Sequence, residues 1–164
     1  MGLHLPADKY VHLERGNFAI GRGINQTSSF INFTPIFTNI EVKKRYTEKD
    51  PLIQLTAWIA AEYNKRRLEG YSTDMPVFAI GIEEDGWFLY VAFWTRASKG
   101  VVDLPDYSTR DSSKLNFIGP FPMGDTFSHG GILRIVRVLC SLADWGVETY
   151  RAWFLEDVLS RYRT

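Results

Sequence analysis

The stretch Pro35-Ile36-Phe37-Thr38-Asn39-Ile40-Glu41-Val42-Lys43 decides how this chain is read. Ile36, Thr38, Ile40 and Val42 alternate with Phe37, Asn39, Glu41 and Lys43, and this period of two, rich in β-branched residues, predicts a strand with one apolar face. Successive side chains leave opposite faces of a strand, so Glu41 and Lys43 share one face while Ile40 and Val42 share the other. A carboxylate and an ammonium become neighbours. Such a pair can serve phosphodiester hydrolysis, Glu41 helping to hold Mg²⁺ and Lys43 orienting the attacking water or stabilising the charge it develops. On an exposed sheet the same pattern is more often a solvated ion pair worth less than about 1 kcal/mol.

Working outward, Asp50-Pro51 marks a helix start, Asp50 capping free N–H groups and Pro51 occupying the first helical position. Leu52, Leu55, Ile59, Tyr63 and Arg66 follow at spacings of three and four, and Gly70 offers a stop, so a helix is predicted over 51–69. Two β-rich runs, 76–84 and 87–95, flank Asp85-Gly86 and predict a hairpin. A short strand at 100–104, a polar loop at 105–113 and a strand at 114–119 ending in Gly119-Pro120 come next. From Ser128 the chain is helical, with Ile132, Ile135, Val136, Leu139 and Leu142 on one stripe and a break expected at Gly146. Upstream, one strand is read at 17–21 among glycines. This order of elements predicts an α/β (α+β) domain, a mixed β-sheet flanked by helices.

At 164 residues the chain has room for a single domain, 1–164. Its 45% apolar and 15% aromatic content excludes disorder. No run approaches the roughly 20 apolar residues of a membrane span, and residues 1–8 lack a basic flank before an apolar stretch, which predicts an intracellular, cytoplasmic protein without a membrane partner. The lone Cys140 and three His exclude an internal disulfide and a structural zinc site. Nineteen basic residues balance nineteen acidic ones, so no global positive field draws in nucleic acid.

The strand with Glu41-x-Lys43, then a capped helix carrying Gln54-Leu55-Thr56-Ala57-Trp58, resembles the PD-(D/E)XK nuclease superfamily, whose hallmark is (D/E)-x-K on a strand before a helix with Q-x-x-x-Y; here Trp58 stands for Tyr. The resemblance is closest to the fungal PD-(D/E)XK nuclease-like domains. It extends through Ile24-Asn25-Gln26-Thr27, Gly119-Pro120, Gly124-Asp125-Thr126 and the closing Trp145, Tyr150 and Trp153-Phe154, from about residue 24 onward. It implies a restriction-endonuclease-like sheet, with Glu41, Lys43 and Gln54 as catalytic residues. The superfamily also carries an acidic residue on a strand before E-x-K, and no Asp or Glu lies between Gly16 and Ile40. Asp8, Glu14 or Asp125 would have to complete a metal site.

Other residues carry chemistry of their own. His129, after Gly124-Asp125-Thr126-Phe127-Ser128, has the imidazole of a general acid or base; its bland reading is a surface residue beside a helix cap. Asp125, Thr126 or Ser128 reads as that cap, and free N–H groups there can also receive an anion, which makes Asp125 and Thr126 candidate substrate contacts. Lys43-Lys44-Arg45 with Lys49, and Lys65-Arg66-Arg67, are solvated faces or phosphate contacts. Trp87, Leu89, Val91 and Phe93 point one way and Phe88, Tyr90, Ala92 and Trp94 the other, as in a central strand between helix layers, or else as the wall of an apolar cavity to which Tyr90 and Trp58 contribute. Cys140 lies in an apolar stripe and is expected in the core.

Three functions compete. The favoured expectation is a repurposed, metal-independent enzyme acting on a small, largely apolar molecule, of the kind met in fungal specialised metabolism, through Glu41, Lys43, Gln54 and His129, without a cofactor. The alternatives are a nuclear Mg²⁺-dependent nuclease with Glu41 as metal ligand, and a non-catalytic module that self-associates through Trp145, Tyr150, Trp153, Phe154 and Tyr162.

Overall fold

The computed structural model describes residues 36–43, 51–95 and 114–162. Four strands, β1 (Thr38–Lys43), β2 (Val77–Glu83), β3 (Gly86–Thr95) and β4 (Lys114–Asp125), form one sheet in the order β1-β2-β3-β4. β1 and β2 run parallel, and β2–β3 and β3–β4 are antiparallel. A parallel pair cannot be joined by a tight turn, and helix α1 (Pro51–Leu68) supplies the crossover. The expected α/β (α+β) mixed sheet with flanking helices is therefore observed.

β2, a near-continuous apolar run, is buried from both sides. Val77 and Ala79 face α1 and join Leu55, Ile59, Tyr63, Tyr90 and Ala92 in one core. Ile80 and Ile82 face the second helix, α2 (His129–Trp145), and join Met123, Ile135 and Leu142 in another. Complete burial of Leu55, Ile59 and Ile80 stabilises the fold by about 1.5–3 kcal/mol each. The large apolar residues of β3 divide between the two layers as a central strand requires, with Phe88 and Trp94 on the α1 side and Trp87 and Leu89 on the α2 side.

Several expectations change. The hairpin stands, but Glu83 pairs with Gly86, so the turn residues are Glu84 and Asp85, and the positive φ (54°) falls on Glu84. β4 does not stop at Gly119-Pro120 and continues to Asp125. Among the described residues β4 pairs only with β3, and on such an edge the missing proline N–H costs no ladder bond. Gly146 is no break: it keeps α-helical angles (φ −60°, ψ −40°), and α2 passes through a wide turn at Gly146–Tyr150, Arg151–Trp153 and a second wide turn at Phe154–Val158. A side chain at Gly146 would lie 2.8 Å from the Phe37 ring, so the glycine admits that ring between Trp145 and Tyr150. Tyr150 also donates a hydrogen bond to the Ile36 carbonyl (3.1 Å), tying the chain just before β1 to the C-terminal helix. Cys140 is exposed rather than core. The strands read at 17–21 and 100–104, the loop at 105–113, the Asp50 cap and the basic residues Lys44, Arg45 and Lys49 lie outside the described residues.

Candidate active site

β1 carries Glu41 and Lys43 on the face that meets α1. The two form an ion pair, Lys43 Nζ to Glu41 Oε1 at 2.8 Å, with their side chains only 18% and 11% exposed. Gln54, in the first turn of α1, accepts a second hydrogen bond from Lys43 Nζ at 3.2 Å. The parallel crossover brings them together, since the C-terminal end of β1 and the N-terminal end of α1 lie at the same edge of the sheet. An ammonium has three protons. Glu41 and Gln54 take two, and the third can meet a water or a phosphate oxygen.

The neighbouring strands shape the floor. Glu41 stands opposite Gly81 and Lys43 opposite Glu83. Gly81 leaves room for the Tyr90 ring, whose Cε2 lies 3.1 Å from where a side chain would begin. Tyr90 thus sits beside Glu41's row, but as a buried residue packed toward Phe117. Trp58, one turn after Gln54, packs on the same core. The residues read as an aromatic wall are filled in by α1. Glu83, a second carboxylate opposite Lys43, does not stand out in the sequence, and its place at the end of β2 becomes meaningful only once the register is known.

The remaining candidates gather elsewhere. Asp125 pairs in register with Gly86, three strand spacings from Lys43 and roughly 14 Å away. Its Oδ1 accepts from the Ser128 N–H at 2.7 Å, and hydrogen bonds from Ser128 hold its carboxyl below the usual carboxylate range. Ser128 is the cap of α2, accepting from the Gly131 N–H at 2.9 Å. Thr126 donates to Asp85 Oδ1 at 3.0 Å and so fastens the hairpin turn. His129 opens α2, exposed and on the opposite side of the sheet from Glu41. Glu41, Lys43 and Gln54 are brought together; His129, Asp125 and Thr126 form a separate cap. Asp125 does not complete the site, and Asp8 and Glu14 lie outside the described residues.

The basic run on α1 also reads differently in three dimensions. Arg66 is fully buried, paired with Glu62 one turn earlier, donating to the Met75 carbonyl (2.9 Å) and lying 4.6 Å over the Trp153 ring. It cannot contact phosphate. Burial pushes the Tyr63 and Tyr150 hydroxyls beside it well above the ordinary tyrosine value. Tyr150 and Phe154, expected on a self-association surface, are buried in this same corner.

Among the described residues no three His, Cys, Asp or Glu side chains gather as a metal cluster, and no helix is long and apolar enough to cross a membrane. The hard oxygens of Glu41 and Glu83 nevertheless match what Mg²⁺ takes from a protein, one or two carboxylates with the rest of its shell left to water and substrate phosphate. No curated protein and no solved structure matches the chain. A family model described as the PD-(D/E)XK nuclease superfamily matches residues 7–151, a span that contains the E-x-K strand, its crossover helix and the whole sheet. On that match the chain belongs to the PD-(D/E)XK nuclease superfamily.

Proposed function

We propose that this protein hydrolyses phosphodiester bonds with the help of a divalent metal, at the site formed by Glu41, Lys43 and Gln54. The observation that carries the reading is the convergence of Gln54 and Glu41 on a single ammonium. Two acceptors hold Lys43 Nζ in place, so its remaining proton is aimed without reorganisation at a water attacking phosphorus or at a phosphoryl oxygen gaining charge. Glu41, with Glu83 on the neighbouring strand opposite Lys43, would hold Mg²⁺, which supplies Lewis-acid stabilisation and a more acidic water when bound. Gln54 sits on a helix anchored by Leu55 and Ile59, which keeps its amide in place through the reaction. Superfamily membership supports the same chemistry.

A second reading, metal-independent acid/base catalysis on a small molecule, draws support from the closed 2.8 Å contact, in which Lys43 already occupies one carboxylate oxygen. It has lost the aromatic wall that would have bound an apolar substrate, since Tyr90 and Trp58 pack in the core.

The test incubates purified protein with plasmid and single-stranded DNA, with and without Mg²⁺ or Mn²⁺, beside Glu41→Gln and Lys43→Ala. Metal-dependent cutting that falls by at least about a hundredfold in both variants is expected. No cutting with any divalent ion, or cutting that survives Glu41→Gln, refutes the proposal.

A further inference from the structure

Helix α2 carries more apolar surface than the sheet uses. Gly131, Ile135 and Leu142 are buried, with Val138 and Leu139 packed beside them. On the opposite side Leu133, Val136 and Val147 are 55%, 49% and 54% exposed, and Cys140 is exposed with them. With half-buried Ala143 these residues follow alternating steps of three and four, Leu133, Val136, Cys140, Ala143 and Val147, the seam by which one helix packs on another. An exposed apolar stripe of this length on a folded domain marks an interaction surface.

The flanking charges select the occupant. Arg137 and Asp144 both border the seam on the same side, two turns apart, and both are exposed without an ion-pair partner among the described residues. In a parallel two-fold pair of α2 helices the two copies of each charge would lie on opposite sides of the seam, beside the apolar Ile132 and Leu139 rather than an opposite charge. Turned end for end about a two-fold axis near Cys140, a second α2 sets its Asp144 beside Arg137 and its Arg137 beside Asp144, because the two positions are equidistant from the point between residues 140 and 141. The surface is then self-complementary, as a two-fold interface requires.

We propose that the protein forms a homodimer by antiparallel pairing of its α2 helices, with Leu133, Val136, Cys140 and Val147 in the seam and Arg137 bonded to Asp144 of the second copy. Glu41 and Lys43 lie on the far side of the sheet, so both sites stay open in the dimer. The inference is independent of what those sites do.

The full chain is tested by light scattering across a dilution series and by cross-linking through Cys140 with a short bismaleimide. A dimer that cross-links at Cys140 is expected. Arg137→Asp replaces two attractions with two repulsions and should weaken the dimer at least about tenfold, and Arg137→Asp/Asp144→Arg should restore it. Both positions are exposed, and circular dichroism verifies that the variants fold. A monomer at every concentration, a dimer without the Cys140 cross-link, or a dissociation constant unmoved by Arg137→Asp or not recovered by the charge exchange overturns the proposal.

Discussion

Replacing Glu62 by Leu should cost more stability than any single change at the candidate site. Arg66 is completely buried, its Nη2 bonds Glu62, its Nη1 bonds the Met75 carbonyl, and its Nε has no hydrogen-bond partner among the described residues. Glu62→Leu leaves this guanidinium without a counter-charge, which costs about 3–5 kcal/mol. A domain of this size holds roughly 5–15 kcal/mol in total, and each kilocalorie moves the melting temperature by roughly 2–4 °C, so a fall of roughly 6–20 °C is expected. Glu62→Leu/Arg66→Met removes both charges and should regain most of the loss. Tyr63 donates to the same Met75 carbonyl at 2.9 Å, so that acceptor keeps a partner. What stays lost is the cation over Trp153 and Tyr63, about 1–2 kcal/mol. Urea unfolding of all four corners of the cycle measures the coupling. If Glu62→Leu costs under about 1 kcal/mol, or the double variant is no better than the worse single one, the burial argument is wrong.

Two further changes test the packing and the cap. Gly146→Ala places a methyl against the Phe37 ring and should destabilise by about 1–3 kcal/mol, largely relieved by adding Phe37→Leu; equal melting of Gly146→Ala and wild type contradicts the close approach. Asp125 is held below its unfolded value of about 3.9, so its contribution is complete above about pH 4 and is lost as pH falls through the folded value. Unfolding followed against pH should show a constant gap between wild type and Asp125→Asn from neutrality to about pH 4 that closes below it; a gap unchanged down to about pH 2 rejects the assignment.

What could be read in advance was local. The stripe Leu52, Leu55, Ile59, Tyr63 and Arg66 marked α1 and its buried side correctly, because all five positions obey one helical period. Glu41 and Lys43 were legible as a pair because strand alternation alone puts them together. The misreadings share a cause in partners distant along the chain. Gly146 looked like a stop because nothing nearby reveals that Phe37 packs against it. Arg66 closes the α1 stripe yet also reads as part of a solvated basic run, and the choice between the two is not visible locally because Trp153 comes from the far end of the sequence. Cys140 reads as core from the sequence because α2 is apolar on two sides, and periodicity does not say which side the sheet takes.

The two least exposed ion pairs among the described residues invite opposite explanations. Glu62 and Arg66 join α1 to the C-terminal helix through Trp153, where a guanidinium bonds a carbonyl and stacks on rings in a way no aliphatic side chain could. Glu41 and Lys43 join nothing of comparable size. They lie two residues apart on one strand, on a row continued by Gly81 and Phe88, where a pair of aliphatic side chains would pack against Tyr90 and α1 without loss of hydration. Withdrawing two charges from water to below 20% exposure costs free energy that their contact recovers only in part, and replacement by apolar residues is often neutral or stabilising in such places. Stability therefore gives little reason for a carboxylate and an ammonium at positions 41 and 43, and still less for a glutamine at 54 turned toward the same nitrogen. A constellation that the fold does not need, held on a strand and a helix whose other residues are anchored in the core, is what a reaction site requires of its scaffold.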